Sequence, residues 1–192
     1  MKRGLLLLSG GRGSRMGTPK HGLAHPGGGS WGSHLVRTFS EVFPDGAIVV
    51  LGEALPDRPE LIRVADPCLG PAKALQTWAQ ARIAGQVPAA DRWWIVACDQ
   101  VRWSPGRLRA WASTCDREAP AGDRWVIAEH AGYPQPLGGW FPDSLCARIV
   151  KEETNSIMGL VKALPHLLLP REGDEWRDVD TPEERTRFEA GD

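Results

Sequence analysis

Over the first 130 residues, short apolar runs alternate with helical stretches, and this alternation constrains the fold more than any other feature. The runs are bounded by turn residues and suit buried strands at 4–9, 47–52, 61–66, 93–98 and 125–130. Helical patterns lie between them at 33–43, 71–85 and 105–115. Because strands that are apolar on both faces alternate with helices, the sequence predicts a mostly parallel α/β sheet covered by helices.

The pattern changes after residue 130. The segment 133–141 contains two prolines and suits an edge or antiparallel strand better than a central one, since proline cannot donate to a sheet. Further helices are predicted at 142–153, 155–165 and 181–191, and further strands at 166–170 and 176–180. Thr181 is the expected N-cap of the last helix, because Pro182 and two glutamates follow it. No repeat or linker divides the sequence, which we interpret as one domain over 1–192.

Charge and cysteine usage exclude several classes of protein. The formal net charge is −1, so any attraction for phosphate must be local to a site rather than spread over a surface that coats nucleic acid or an anionic membrane. The cysteines form no Cys-x-x-Cys pair of the kind that binds zinc or cycles between redox states; they are Cys68, Cys98, Cys115 and Cys146. No apolar run approaches membrane-spanning length. We expect a cytoplasmic protein that binds neither nucleic acid nor membrane.

A glycine-rich loop follows the first apolar run, in the stretch LLLLSGGRGSRMGTPK (residues 5–20). The carboxyl end of a buried strand is the usual nucleotide site in an open α/β sheet, and glycines let backbone N–H groups approach phosphate oxygens. The stretch lacks the third glycine of a dinucleotide fingerprint and the Gly-Lys-Ser/Thr of a P-loop. Arg12, Arg15 and Lys20 make it a long cationic loop, which favours a wrapped triphosphate over an exposed turn.

The segment LSGGRGSRMGTPK resembles the signature L-x-G-G-x-x-x-R-M-G-x-x-K of the molybdenum cofactor guanylyltransferases. That family belongs to a superfamily of nucleotidyltransferases with a three-layer, Rossmann-like sheet of the nucleotide-diphospho-sugar transferase type. The resemblance implies that the loop wraps a nucleoside triphosphate and that Arg15 and Lys20 bind its phosphates and act in catalysis. The other nucleotide-binding residues that it implies in the loop are Leu8, Ser9 (usually alanine in the family), Gly10 and Gly11.

Asp99 lies directly after the apolar run at 93–98. A carboxylate at the end of a strand, facing a triphosphate, is the hard oxygen ligand that Mg²⁺ prefers, although an aspartate that only caps a turn fits the residue type equally well. The family has a Cys-Asp pair at this strand end, which implies catalytic, nucleotide-binding and Mg²⁺-binding roles for Asp99. The prolines that flank the pair in the family are absent around Gln100.

Two further segments resemble the family and complete the expected site. Asp180 in DVDTPEE, where the family has N-x-N-T-P-E-[DE], falls where the superfamily often places a second metal-binding oxygen, although these residues also form a good helix start. Asp66 in RVADPCLGPAKAL aligns with the aspartate that helps to define the nucleotide pocket. Two residues depart from the family: Lys73 replaces a small residue, and Asn155 stands where many relatives have a basic residue for the acceptor.

As a whole, the resemblance implies a Mg²⁺-dependent transferase that moves GMP from GTP to the phosphate of molybdenum-bearing molybdopterin and releases pyrophosphate. It also implies molybdoenzyme chaperones or other proteins of cofactor biosynthesis as partners. The residues leave three alternatives open: transfer of another nucleotide such as CMP, another phosphorylated acceptor, or a non-catalytic nucleotide-binding domain of the same fold.

Overall fold

The computed structural model describes residues 1–10 and 19–191, and its central feature is a seven-stranded sheet. The strands are β1 (Arg3–Leu8), β2 (Ala47–Leu51), β3 (Ile62–Val64), β4 (Arg92–Ala97), β5 (Trp125–His130), β6 (Tyr133–Pro142) and β7 (His166–Pro170). The helices are α1 (Trp31–Val42), α2 (Pro71–Ile83), α3 (Pro105–Glu118), α4 (Cys146–Ile149), α5 (Ile157–Ala163) and α6 (Pro182–Ala190). Short 3₁₀ turns cover Lys20–Gly22 and Asp143–Leu145.

The strand order is β3-β2-β1-β4-β6-β5-β7, and all pairs are parallel except the two that β6 makes. The mostly parallel sheet is therefore confirmed, and β6 is antiparallel as expected. Contrary to the alternative of an edge strand, β6 lies inside the sheet, between β4 and β5. Its prolines are tolerated because Pro134 lies near its start and Pro136 falls where the register with β5 is irregular.

The central strands β1 and β4 of the parallel half bury both of their faces, whereas β3 at the edge is largely exposed. In β1, Leu6 belongs to the core beneath α2, α4 and α5, whereas Leu5 and Leu7 belong to the core beneath α1 and α3. All nine tryptophans are buried, mostly in edge-to-face contacts with other aromatic rings. The sheet is thus a rigid support, and the loops that leave its carboxyl end start from fixed positions.

Two predicted elements differ in the structure. Residues 176–180 form no strand; Val179 instead donates one backbone hydrogen bond to Asp99, at 3.1 Å. The helix predicted at 142–153 is reduced to a 3₁₀ turn and the single turn α4. Gln76 of α2 explains this early end, because its side-chain amide donates to the backbone carbonyl groups of Ile149 and Glu152, at 3.2 and 2.6 Å.

Helix α6 begins as the sequence predicts. The Thr181 hydroxyl accepts from the Glu184 N–H, and the Glu184 carboxylate accepts from the Thr181 N–H, so the two residues form a capping box. This cap fixes the chain immediately after Asp180. Across residues 1–10 and 19–191, no helix has the length and hydropathy needed to cross a membrane.

Candidate active site

A cavity of about 1000 Å³ lies at the carboxyl end of the sheet. Its lining includes Leu8 at the end of β1, Gly52 just after β2 and Ala97 at the end of β4. This is where open α/β sheets bind nucleotides, and the volume is at the upper end of that of small-molecule sites. The predicted site residues that line it are Leu8, Ser9, Gly10, Lys20, Asp66, Asp99 and Asp180. The predicted residues Gly11 and Arg15 lie outside the described residues.

The loop after β1 enters the cavity along the end of β2. Ser9 is buried, its N–H donates to the Leu51 carbonyl at 2.9 Å, and its hydroxyl donates to the Glu53 carbonyl at 2.6 Å. Gly10 then passes so close to Asp66 that a Cβ atom on it would lie 2.1 Å from a carboxylate oxygen. A larger residue at this position would therefore require the Asp66 side chain to shift away from the loop.

Asp66 also shapes the opposite wall of the cavity. One of its carboxylate oxygens accepts from the Cys68 N–H at 2.8 Å, which turns the chain after β3. The turn leads to Gly70, which has a positive φ of 94° and precedes Pro71, the first residue of α2. The start of α2 is therefore directed at the cavity, and Gly70 and Pro71 both line it.

Lys20, Asp99 and Asp180 form an ion cluster on the floor of the cavity. The Lys20 ammonium donates to Asp99 Oδ2 at 2.9 Å and to Asp180 Oδ1. The side chains of Lys20 and Asp99 are only 16% and 18% exposed. Desolvation by itself lowers the pKa of Lys20, but the hydrogen bonds to Asp180 and Asp99 outweigh it, and the pKa is raised. Lys20 is therefore a charged group shared by the two predicted metal ligands.

A small apolar cluster holds these three charged residues in place. We call it the support cluster; its members are Leu23, Trp31, Val101, Val179 and the partly buried Phe188. Leu23 follows Lys20 by three residues, Val101 follows Asp99 by two, and Val179 directly precedes Asp180. Three distant parts of the chain thus bring their charged residues together because their apolar neighbours pack on one another.

Asp178 lies beside the ion cluster and was not named by the sequence reasoning. The residue is exposed and does not line the cavity, but desolvation of its carboxyl group, together with the negative charges of Asp99 and Asp180, raises the pKa of Asp178 to about 7. The signal was present in the sequence, since DVD carries aspartate at both positions where the family has asparagine. This end of the sheet therefore carries more carboxylates than the family pattern predicts.

Gln100, one of the departures from the family pattern, has a structural role. It is buried, and its side-chain amide donates to the carbonyl groups of Leu137 and Trp176, at 3.4 and 3.5 Å. The turn that carries Asp99 is thus tied to β6 and to the segment before Asp180.

The arrangement fits a divalent cation that is completed by a nucleotide. Asp99 Oδ1 is buried and has no hydrogen-bond partner among the described residues, while the Lys20 ammonium shows that a cation is stable between Asp99 and Asp180. In that same part of the chain, no set of three or more His, Cys, Asp or Glu side chains converges to hold a metal. Mg²⁺ in nucleotide sites is usually held by one or two carboxylates plus phosphate oxygens and water, so two carboxylates are sufficient.

Three further residues, Arg63, Lys73 and Asn155, line two different cavities. Arg63 of β3 lines the main cavity and is a cation that the sequence reasoning left out. Lys73 and Asn155, the two remaining departures from the family, line a second cavity of about 580 Å³ beside α2. Neither of them lines the main cavity, so their replacement leaves the ion cluster unchanged.

Comparison with known proteins gives the family. The chain matches the MobA-like NTP transferase domain over residues 5–167. It is 29% identical over 194 residues to a protein of Rhodopirellula baltica described as a probable molybdenum cofactor guanylyltransferase, covering 92% of this chain and 87% of that protein.

Solved structures share the fold. Molybdopterin-guanine dinucleotide biosynthesis protein A from Archaeoglobus fulgidus is 19% identical, with a TM-score of 0.69 and 97% of each chain covered. Rv0371c from Mycobacterium tuberculosis is 19% identical, with a TM-score of 0.70 and 99% of each chain covered. The predicted nucleotidyltransferase fold is confirmed. With its family model matched over most of its length, this chain belongs to the MobA-like NTP transferases and is a nucleotidyltransferase.

Proposed function

We propose that this protein transfers GMP from GTP to the phosphate of molybdenum-bearing molybdopterin and releases pyrophosphate. The observation that carries the proposal is the convergence of Lys20, Asp99 and Asp180 in the cavity at the carboxyl end of the sheet. The family and the R. baltica relative, described as a probable molybdenum cofactor guanylyltransferase, support this choice of nucleotide and acceptor.

The reaction needs alignment and charge stabilisation more than proton transfer. The acceptor phosphate is already anionic, so in-line attack on the α-phosphorus requires no strong general base. Lys20 supplies positive charge for the phosphates and for the pyrophosphate that leaves. Arg15, the second predicted phosphate-binding cation, lies outside the described residues. The Asp66 carboxylate suits hydroxyl or N–H donors of the nucleoside, because it would repel the phosphates.

Asp99 and Asp180 are the residues that would hold Mg²⁺. Bound there, Mg²⁺ would neutralise charge on the phosphate oxygens as pyrophosphate departs. NTP transferases of this family generally use a divalent metal. A second structure of Rv0371c from M. tuberculosis, 16% identical to this chain with a TM-score of 0.65 and 100% of each chain covered, is a complex with manganese.

A pyrophosphate-release assay across the four NTPs, with and without molybdenum-bearing molybdopterin, tests the proposal. We expect release only with GTP and acceptor together, and none from Asp99→Asn under the same conditions. Turnover with CTP instead would redirect the activity to cytidylyl transfer. Release with no pair of substrates would contradict the proposal and leave a nucleotide-binding domain without catalysis.

A further inference from the structure

We propose that Lys20 is a clasp on the metal site: its ammonium competes with the divalent cation for Asp99 and Asp180, and a bound triphosphate releases the site by drawing Lys20 away. The inference deepens the proposed function and rests on it, since the cation and the nucleotide are those of the transfer reaction. Lys20 thus has two alternative sets of partners, the carboxylates and the phosphates, and it cannot bind both sets at the same time.

The contacts of Lys20 make the competition direct. Its ammonium donates to Asp99 Oδ2 at 2.9 Å and to Asp180 Oδ1, so it contacts one oxygen of each predicted metal ligand. A divalent cation held by the same two carboxylates would lie within a few ångströms of the ammonium, whichever Asp99 oxygen it took. Two cations at that distance in a largely buried site repel each other strongly. Full metal coordination therefore requires the ammonium to move.

The charges of the site make the exchange favourable once a triphosphate is present. Asp99 and Asp180 place two carboxylates around one lysine, so the cluster keeps a net negative charge and retains affinity for a second positive charge. A triphosphate brings several negative charges to the other side of Lys20. The lysine can then pair with phosphate while the metal takes both carboxylates. Metal and nucleotide should consequently strengthen each other's binding by the same factor.

The position of Lys20 in the chain allows this movement without unfolding. Lys20 opens a 3₁₀ turn of three residues, and its backbone is anchored by Leu23, whose N–H donates to the Lys20 carbonyl at 3.1 Å. Its four-carbon side chain can rotate about that fixed backbone. Both Lys20 and the carboxylates line the same cavity, so the side chain has space in which to turn.

Binding of Mn²⁺ without nucleotide, followed by the EPR signal of free Mn²⁺, tests the clasp. Lys20→Met should bind Mn²⁺ about tenfold more tightly than the unchanged protein, which is the scale of one charge-assisted hydrogen bond. Lys162→Met, which removes an exposed lysine of α5, is the matched control and should bind Mn²⁺ as the unchanged protein does. Lys20→Arg keeps the positive charge and should also stay close to the unchanged protein. Equal Mn²⁺ affinity in Lys20→Met and Lys162→Met would overturn the inference.

The same substitution should change nucleotide affinity in the opposite direction to Mn²⁺ affinity. Calorimetry should show weaker GTP binding to Lys20→Met than to Lys162→Met, and a smaller increase in GTP affinity when Mn²⁺ is added. A substitution that only damaged the fold would weaken both ligands together, and thermal melting would reveal it.

A measurement on the unchanged protein covers the case in which Lys20→Met does not fold. Acetylation of Lys20, followed by mass spectrometry, should become faster when Mn²⁺ is added, because the metal displaces the ammonium from the carboxylates. An unchanged rate under saturating Mn²⁺ would contradict the clasp. None of these measurements needs turnover, so a silent pyrophosphate assay would overturn the proposed function and leave the clasp to be judged on its own.

Discussion

Both ends of the sheet carry an ion cluster, but the two clusters have opposite charge ratios. At the carboxyl end, the two carboxylates of Asp99 and Asp180 share Lys20 on the floor of the cavity. At the amino end, Arg3 of β1 and Arg92 of β4 share the single carboxylate of Asp116. The carboxyl-end cluster therefore has an excess of carboxylates, and the amino-end cluster has an excess of guanidinium groups.

The surroundings show why only one of these clusters suits chemistry. The Arg3 guanidinium lies over the Trp140 ring, 4.8 Å from its centroid, and Arg92 donates to the backbone carbonyl groups of Cys115 and Ala119. Rings and carbonyl groups thus surround the two guanidinium groups, which are 6% and 1% exposed. The carboxyl-end cluster instead lines a cavity of about 1000 Å³. A charge imbalance that is sealed stabilises the fold, whereas one that is open can bind a ligand.

The largest expected effect separates activity from stability at the carboxyl end. Asp99→Asn should lower kcat by about a thousandfold or more, because it removes a charged ligand that stabilises the transition state. The melting temperature should change little, since Lys20 retains Asp180. Asp45→Asn, an exposed aspartate before β2, is the control and should change neither quantity. Normal turnover by folded Asp99→Asn would place the chemistry elsewhere.

The corresponding substitution at the amino end should lower stability and leave catalysis unchanged. Arg92→Met should reduce the free energy of unfolding by about 2 kcal/mol, because it removes the hydrogen bonds that the buried guanidinium donates to the carbonyl groups of Cys115 and Ala119, together with its ion pair to the half-exposed Asp116. Urea denaturation measures this loss, with Arg109→Met on the exposed side of α3 as the control. The KM for GTP should stay the same in the folded fraction. An altered KM would show that the two ends are coupled and would break the comparison.

Sequence reasoning recovered the sheet better than either ion cluster. Apolar runs bounded by turns located β1 to β5, and the signal is clearest in β1 and β4, where burial on both faces makes the run almost continuous. The strand expected at 176–180 was wrong: Trp176 and Val179 are buried in two separate cores, but the backbone between them pairs with no strand. Side chains of an irregular segment can be buried by packing against a core even when the backbone of that segment joins no sheet.

The site was predictable residue by residue but not as an arrangement. Strand ends and the family resemblance indicated Lys20, Asp99 and Asp180, yet their contacts join positions 79 and 160 residues apart. No local pattern encodes such a contact, and none indicated that Lys20 would bridge the two carboxylates. Arg63 was missed for the same reason, since only the fold brings it to the cavity.

A smaller effect is expected for stability at low pH. The carboxyl end of the molecule should be more sensitive to acid than the amino end. The rings of His25 and His34 stack with centroids 3.7 Å apart, and the His25 ring lies 5.4 Å from that of Phe188 in the support cluster. Burial, then His34, then Arg37 lower the pKa of His25 to about 4, and burial lowers that of His34. The folded state therefore favours the neutral rings, and the stability they give is complete above pH 6.5, the ordinary histidine pKa.

This stability should be lost as the pH falls from about 6.5 to about 4. His25→Phe keeps a stacked ring that cannot be protonated, so its melting temperature should fall by a few degrees less than that of the unchanged protein over this range. His166→Phe, on β7 and away from the pair, should follow the unchanged protein. Identical pH profiles for all three proteins would show that the stacked pair does not determine acid sensitivity.

The smallest effect tests how the loop after β1 is held to the cavity wall. Ser9→Ala introduces the residue usual in the family and removes the buried hydrogen bond to the Glu53 carbonyl, a loss of about 1 kcal/mol. Ser104→Ala, which removes the cap of α3, should cost about the same stability and serves as the control. Only Ser9→Ala should raise the KM for GTP, by about fivefold on the same energy scale, with kcat nearly unchanged because Lys20 and Asp99 are untouched. Equal KM values in the two variants would show that the Ser9 hydroxyl stabilises the fold without positioning the nucleotide. In that case this contact at the carboxyl end would have only a structural role, as the ion cluster at the amino end does.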